Sequence, residues 1–94
     1  FAQDFHFLEE VIDKKFENEK LTLNLKGIKN FSDNDCIELV IRIAQNVINT
    51  LSSDYRKLLA CYIEESEIDE YITTMITVRV ISYAISVNAN TFTR

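Results

Sequence analysis

Few side chains in this sequence have types and spacings that could do chemistry, and His6 is the obvious first candidate. It is the only histidine, and Glu9 and Glu10 stand close enough in sequence to join it in holding a metal weakly. A two-histidine zinc site is ruled out by that count, and any Ser-His-Asp arrangement would have to use His6 itself. Di-iron bundles draw on two Glu-x-x-His elements, and the chain has none. With Gly27 as its one glycine, it has no glycine-rich phosphate loop either. His6 therefore reads as a solvated side chain on a terminal helix, and neither a metal nor a cofactor is expected.

Cys36 and Cys61 are the two thiols. If the helices carrying them form an antiparallel hairpin turning near Ser52, Cys61 lies opposite residue 43. Cys36 is then about 10 Å away along the axis, beyond disulfide reach. Neither thiol has a basic neighbour in sequence to activate it, so both are expected to be reduced and inert. Glu64, Glu65, Glu67, Asp69 and Glu70 place five carboxylates within seven residues. Their spacing is not that of a calcium loop, and the central glycine of such a loop is missing. The acids suit the positive end of a following helix. They also offer a docking patch to a basic partner.

The elements that must position these groups are legible in what is absent. Proline does not occur, and tight turns usually draw on Gly and Pro. Long helices joined by short polar links are the expected result. A first helix spans about Asp4 to Glu19, with Asp4 as N-cap and Phe5, Leu8, Ile12 and Phe16 as its apolar stripe. A second is capped by Ser32 or Asp33 and presents Ile37, Val40, Ile41, Ala44, Val47, Ile48 and Leu51 on one broad face. Ser52 and Ser53 offer a break and a fresh N-cap. A third helix then runs to about Glu65, its face being Tyr55, Leu58, Leu59, Tyr62 and Ile63. Ser66, with Asp69 in a capping-box variant, either starts a fourth helix reaching about Val87 or marks a mild kink in one long helix.

Two segments depart from this pattern. Leu21 to Lys26 alternates apolar and polar residues, the signature of a half-buried strand; such a strand needs a partner for its backbone groups. The fourth helix carries two apolar faces. Ile72, Ile76, Val80, Tyr83 and Val87 form one; Val78, Ile81 and Ile85 form a second, nearly opposite. A helix of that kind sits at the centre of a bundle or turns one face to a partner. Val78, Ile81 and Ile85, with Leu21, Leu23 and Leu25, are therefore the candidate self-association surface of a homodimer. Residues Ile76 to Val80 also alternate as a strand does, which makes α+β the runner-up class. The expected fold is all-α: one helical domain over residues 1–94, a four-helix bundle with one short extended segment at 20–28.

Two stretches resemble known families. Asp35-Cys36-Ile37-Glu38-Leu39-Val40 resembles the second helix of acyl carrier proteins, which are also small, acidic and helical. Those proteins bear their cofactor on a serine in an Asp-Ser-Leu motif just before this helix. Phe31-Ser32-Asp33-Asn34 stands there instead, so the resemblance implies at most a carrier-like protein lacking its cofactor serine. The order of a short alternating strand followed by two helices is similar to the ribbon-helix-helix fold. That resemblance implies a small dimeric DNA-binding protein, with Thr22, Asn24 and Lys26 as readers and Lys20 and Lys29 at phosphates.

Composition sets the bounds. A net charge of −5 opposes nucleic acid and anionic membranes. With 47% apolar and 27% charged residues the chain is neither disordered nor membrane-like in composition. The apolar-rich run Ile72 to Val87 contains Arg79 and falls short of a bilayer span. The chain's start, with Asp4, Glu9 and Glu10, does not read as a signal peptide, so a cytoplasmic address is expected. The reading that remains is a non-enzymatic protein–protein interaction domain of subunit, adaptor or inhibitor type, acting on a protein partner.

Overall fold

The first helix ends where the only glycine stands. In this computed structural model, which describes residues 2–92 and the side chains of residues 5–89, α1 runs Ala2–Leu25. Gly27 takes φ +72°, the left-handed conformation that costs other residues about 1 kcal/mol. Its N–H donates to the Asn24 carbonyl, and the Ile28 N–H donates to that of Leu23. This pair of bonds is a Schellman cap, which satisfies carbonyls that a helix end leaves open. A Cβ at Gly27 would meet nothing within 4 Å. The glycine is needed for its backbone angle alone.

That cap corrects the reading of residues 20–28. Leu21 to Leu25 is the last stretch of α1, and no strand occurs among the described residues. Carried on as helix, the segment pairs its own backbone groups, whereas a lone strand would leave them open. Only Leu23 gains burial from the arrangement, packing against the core, while Leu21 and Leu25 stay exposed. Asp4 lies inside α1 and is not its N-cap.

The next two helix starts follow the sequence closely. Ser32 caps α2 (Asp33–Thr50): its Oγ accepts from the Asp35 N–H at 3.1 Å, and its own N–H donates to the Asp35 carboxylate at 2.9 Å. This reciprocal pair is a capping box. Ser52 caps α3 (Ser53–Leu59), its Oγ accepting from the Tyr55 N–H at 3.1 Å. α3 is shorter than expected. Bonds of i→i+3 type at Cys61 and Tyr62 unwind it, and a single 3-10 turn, Glu65–Glu67, leads into α4 (Ile68–Phe92).

Three long helices make the bundle. α1 supplies Leu8, Ile12 and Phe16, α2 supplies Leu39, Ile43 and Val47, and α4 supplies Ile68, Ile72, Ile76 and Val80; all are buried. The contact between α2 and α4 is the most extensive. Those two run antiparallel, since Asn88 near the end of α4 grips Phe31 at the start of α2. The Phe31 N–H donates to Asn88 Oδ1 at 2.8 Å, and Asn88 Nδ2 donates to the Phe31 carbonyl at 3.0 Å. α1 lies parallel to α4, joined by Phe5 with Tyr71 at one end and Phe16 with Tyr83 farther along. The class is all-α. The body measures 48 × 21 × 20 Å, and its radius of gyration of 14.8 Å exceeds the ~12 Å of a rounder domain this long. An elongated bundle has a thin core and long flanks.

α2 is rotated from its expected phase. Leu39 and Ile43 are buried with Ala44 and Val47, while Ile37 and Ile41 are about half exposed, at 56% and 52%. At about 100° per residue the apolar residues of α2 cover an arc of roughly 200°. That is wider than the core can cover. The flank carrying Leu39, Ile43 and Val47 faces the core between α1 and α4, and the other flank is left outside.

Candidate functional site

The uncovered flank of α2 has a counterpart on α4. Ile68, Ile72, Ile76, Val80 and Ala84 repeat every four residues and form the buried row. Val78 projects about 160° away from that row, and Ile81 and Ile85, each one position after a buried residue, about 100°; the three are 60%, 49% and 64% exposed. Because α2 and α4 are antiparallel with Phe31 level with Asn88, Ile37 and Ile41 come level with the stretch from Val78 to Ile85. Helical phase puts both isoleucines on the side of α2 that borders α4, away from α1. The five side chains thus share one outward face along the α2–α4 seam.

Charge is sorted away from this face. From Tyr71 to Ala89 the only charged residue is Arg79, and it points to α1, where its Nε lies 2.6 Å from the Asp13 carboxylate. Within α2, Arg42 also turns to α1, donating from both Nε and Nη2 to the Glu19 carboxylate at 3.1–3.3 Å. Glu38 and Glu70 stand at the rim by phase. The interior of the face holds no charged group, on a chain in which 27% of residues are charged.

The other sequence-derived candidates are dispersed. Leu21 and Leu25 lie on the outer side of α1, so they do not join Val78, Ile81 and Ile85 in one surface, and Leu23 packs inward. Glu64, Glu65, Glu67, Asp69 and Glu70 are exposed around the 3-10 turn and the first turn of α4. Asp69 pairs with Arg56 of α3 at 3.0 Å. His6 Nε2 sits 3.0 Å from Glu10 Oε1 one turn along α1, both exposed. No group of three potential metal-binding side chains comes together among the described residues. Cys36 is half-buried and Cys61 exposed. Burial first, then the Asp33 and Asp35 charges, push the Cys36 thiol above its usual range.

The intended readers of a strand-type DNA interface are tied into the helices. Thr22 Oγ1 donates to the Asn18 carbonyl at 3.1 Å, and Asn24 Oδ1 accepts from the Tyr83 hydroxyl at 3.2 Å. An open groove of about 410 Å³ lies between α1 and the α2–α3 turn, with Phe7, Val11, Leu51 and Tyr55 as its apolar walls and Lys14 and Lys15 at its edge. A second hollow sets Cys61 among Glu64, Glu65 and Glu67. α4 is also longer than the run read from sequence: the stretch Glu65–Ala89 is long and apolar enough, by length and composition alone, to cross a membrane, a property that core helices share.

Ile37 and Ile41 were placed in the core by sequence reasoning, and Asn88 went unnoticed. The signal for the isoleucines was available in the excess width of the apolar arc on α2. Comparison with family models, with curated proteins and with solved structures gives no match for this chain.

Proposed function

We propose that this chain is a non-enzymatic protein–protein interaction domain that works through the outer face of α2 and α4. One observation carries the reading: Ile37, Ile41, Val78, Ile81 and Ile85 stand 49–64% exposed on one flank with no charge among them. Isolated apolar side chains on a surface are ordinary, whereas a patch near the upper end of what a monomer carries is often a functional surface. The basic residues of the same helices, Arg42 and Arg79, are drawn off to α1, which leaves the interior of the face without a charge to desolvate.

The test is a photo-crosslinking amino acid placed at position 81 of the full chain, with exposed position 46, about 140–180° round α2 from Ile41 and Ile37, as control. Irradiation in a native extract is expected to give protein adducts at 81 and few at 46. Equal or absent adducts at the two positions would reject the face as a docking surface.

A further inference from the structure

We infer that the occupant of the α2–α4 face is a second copy of this chain, related by a two-fold axis passing near Ile81. The inference rests on the interaction reading above and adds the identity of the partner. A two-fold interface lays a surface on itself, so a residue near the axis meets its own mate. Any charged group there would meet a like charge. The centre of this face, Ile41, Val78 and Ile81, has none, and the neutral rim residues Thr74 and Gln45 both donate and accept hydrogen bonds, which suits self-pairing.

The rest of the surface argues the same way. Each copy carries −5, so two copies repel over most approaches, and the charge-free flank is where they come together at least electrostatic cost. A basic or acidic partner would find no complementary charge on the face. A lipid surface would call for lysines and arginines along the edge of the apolar strip, and the rim here carries Glu38 and Glu70. The five apolar side chains expose on the order of 500 Å², near the upper end for the largest patch on a monomer. Two copies laid face to face would bury about 1,000 Å² in all, the lower bound for a specific interface, which suits a weak dimer.

Sedimentation velocity on the full chain tests this, using the wild type and the variants Ile81→Lys and Ile81→Glu, each alone and mixed. Wild type is expected to dimerise at roughly tens of micromolar. Each variant alone should be monomeric, and the mixture should regain dimer as lysine meets glutamate across the axis. Circular dichroism establishes that each variant folds; if either does not, Ile85→Lys and Ile85→Glu replace it. A wild type that stays monomeric to roughly 0.5 mM, a dimer insensitive to both charges, or a mixture that stays monomeric would overturn the inference. Face-dependent flotation of monomeric protein with phosphatidylcholine vesicles would overturn it in favour of a lipid surface. If wild type is monomeric while position 81 still crosslinks to a different protein, only the identity of the partner fails. If it crosslinks to nothing, the interaction reading fails too.

Discussion

Cys36 and Cys61 lie on different helices and face different surroundings, and their chemistry should differ accordingly. Burial and the neighbouring Asp33 and Asp35 charges hold the Cys36 thiol in its protonated form, whereas Cys61 is exposed. Iodoacetamide at neutral pH is expected to alkylate Cys61 about tenfold faster than Cys36. Peptide mass spectrometry reads the two rates, and equal rates would contradict the burial of Cys36. Asn88 holds both backbone groups of Phe31, and Phe31 is itself buried. Asn88→Ala leaves that N–H and C=O without their partner and should cost about 1–3 kcal/mol in urea unfolding. A change near zero would mean that water replaces the amide fully. Sequence reading narrowed two helix starts to Ser32 or Asp33 and to Ser52 or Ser53, of which Ser32 and Ser52 are the caps, because a cap is decided within three residues. It missed Asn88 because its partner lies 57 residues away, and no local pattern records such a pairing.

Among the elements, α4 shows what periodicity can and cannot decide. Its two apolar faces were legible, and so was the fact that one of them would be Val78, Ile81 and Ile85. The buried row includes Ile76 at 0% exposure, while Ile85 on the other face is 64% exposed. Ile76→Ala is therefore expected to cost about 2–5 kcal/mol, and Ile85→Ala within about 0.5 kcal/mol of zero when measured on dilute monomer. Denaturant titration at low micromolar concentration compares them, and similar losses would place Ile85 in the core. α2 was read with the wrong phase because its apolar arc is wider than one contact surface. Only the positions of α1 and α4 decide which flank is used. The six-residue alternation at Leu21 to Lys26 was too short to distinguish a strand from the end of a helix. Gly27, as the cap of α1, settled it.

For the molecule as a whole, net charge and the neutral face make opposite demands, and salt separates them. Two copies at −5 each repel, so raising ionic strength from about 0.05 to 0.5 M should tighten self-association several-fold as the Debye length shrinks. A basic partner docking on Glu64, Glu65, Glu67, Asp69 and Glu70 would show the reverse, weakening with salt. Fluorescence-detected sedimentation at the two salt concentrations reports the sign. The most direct measurement uses the isoleucines themselves, since the twelve in the chain sample core and face alike. Ile12, Ile43, Ile68, Ile72 and Ile76 are fully buried, whereas Ile37, Ile41, Ile81 and Ile85 are 49–64% exposed. Methyl NMR spectra recorded on dilution of the full chain follow each one separately. The account predicts that the methyl shifts of Ile37, Ile41, Ile81 and Ile85 move together with concentration while those of the five buried residues hold still. Shifts that stay fixed at all four, or that move instead beside the Phe7 and Lys14 groove, would contradict it.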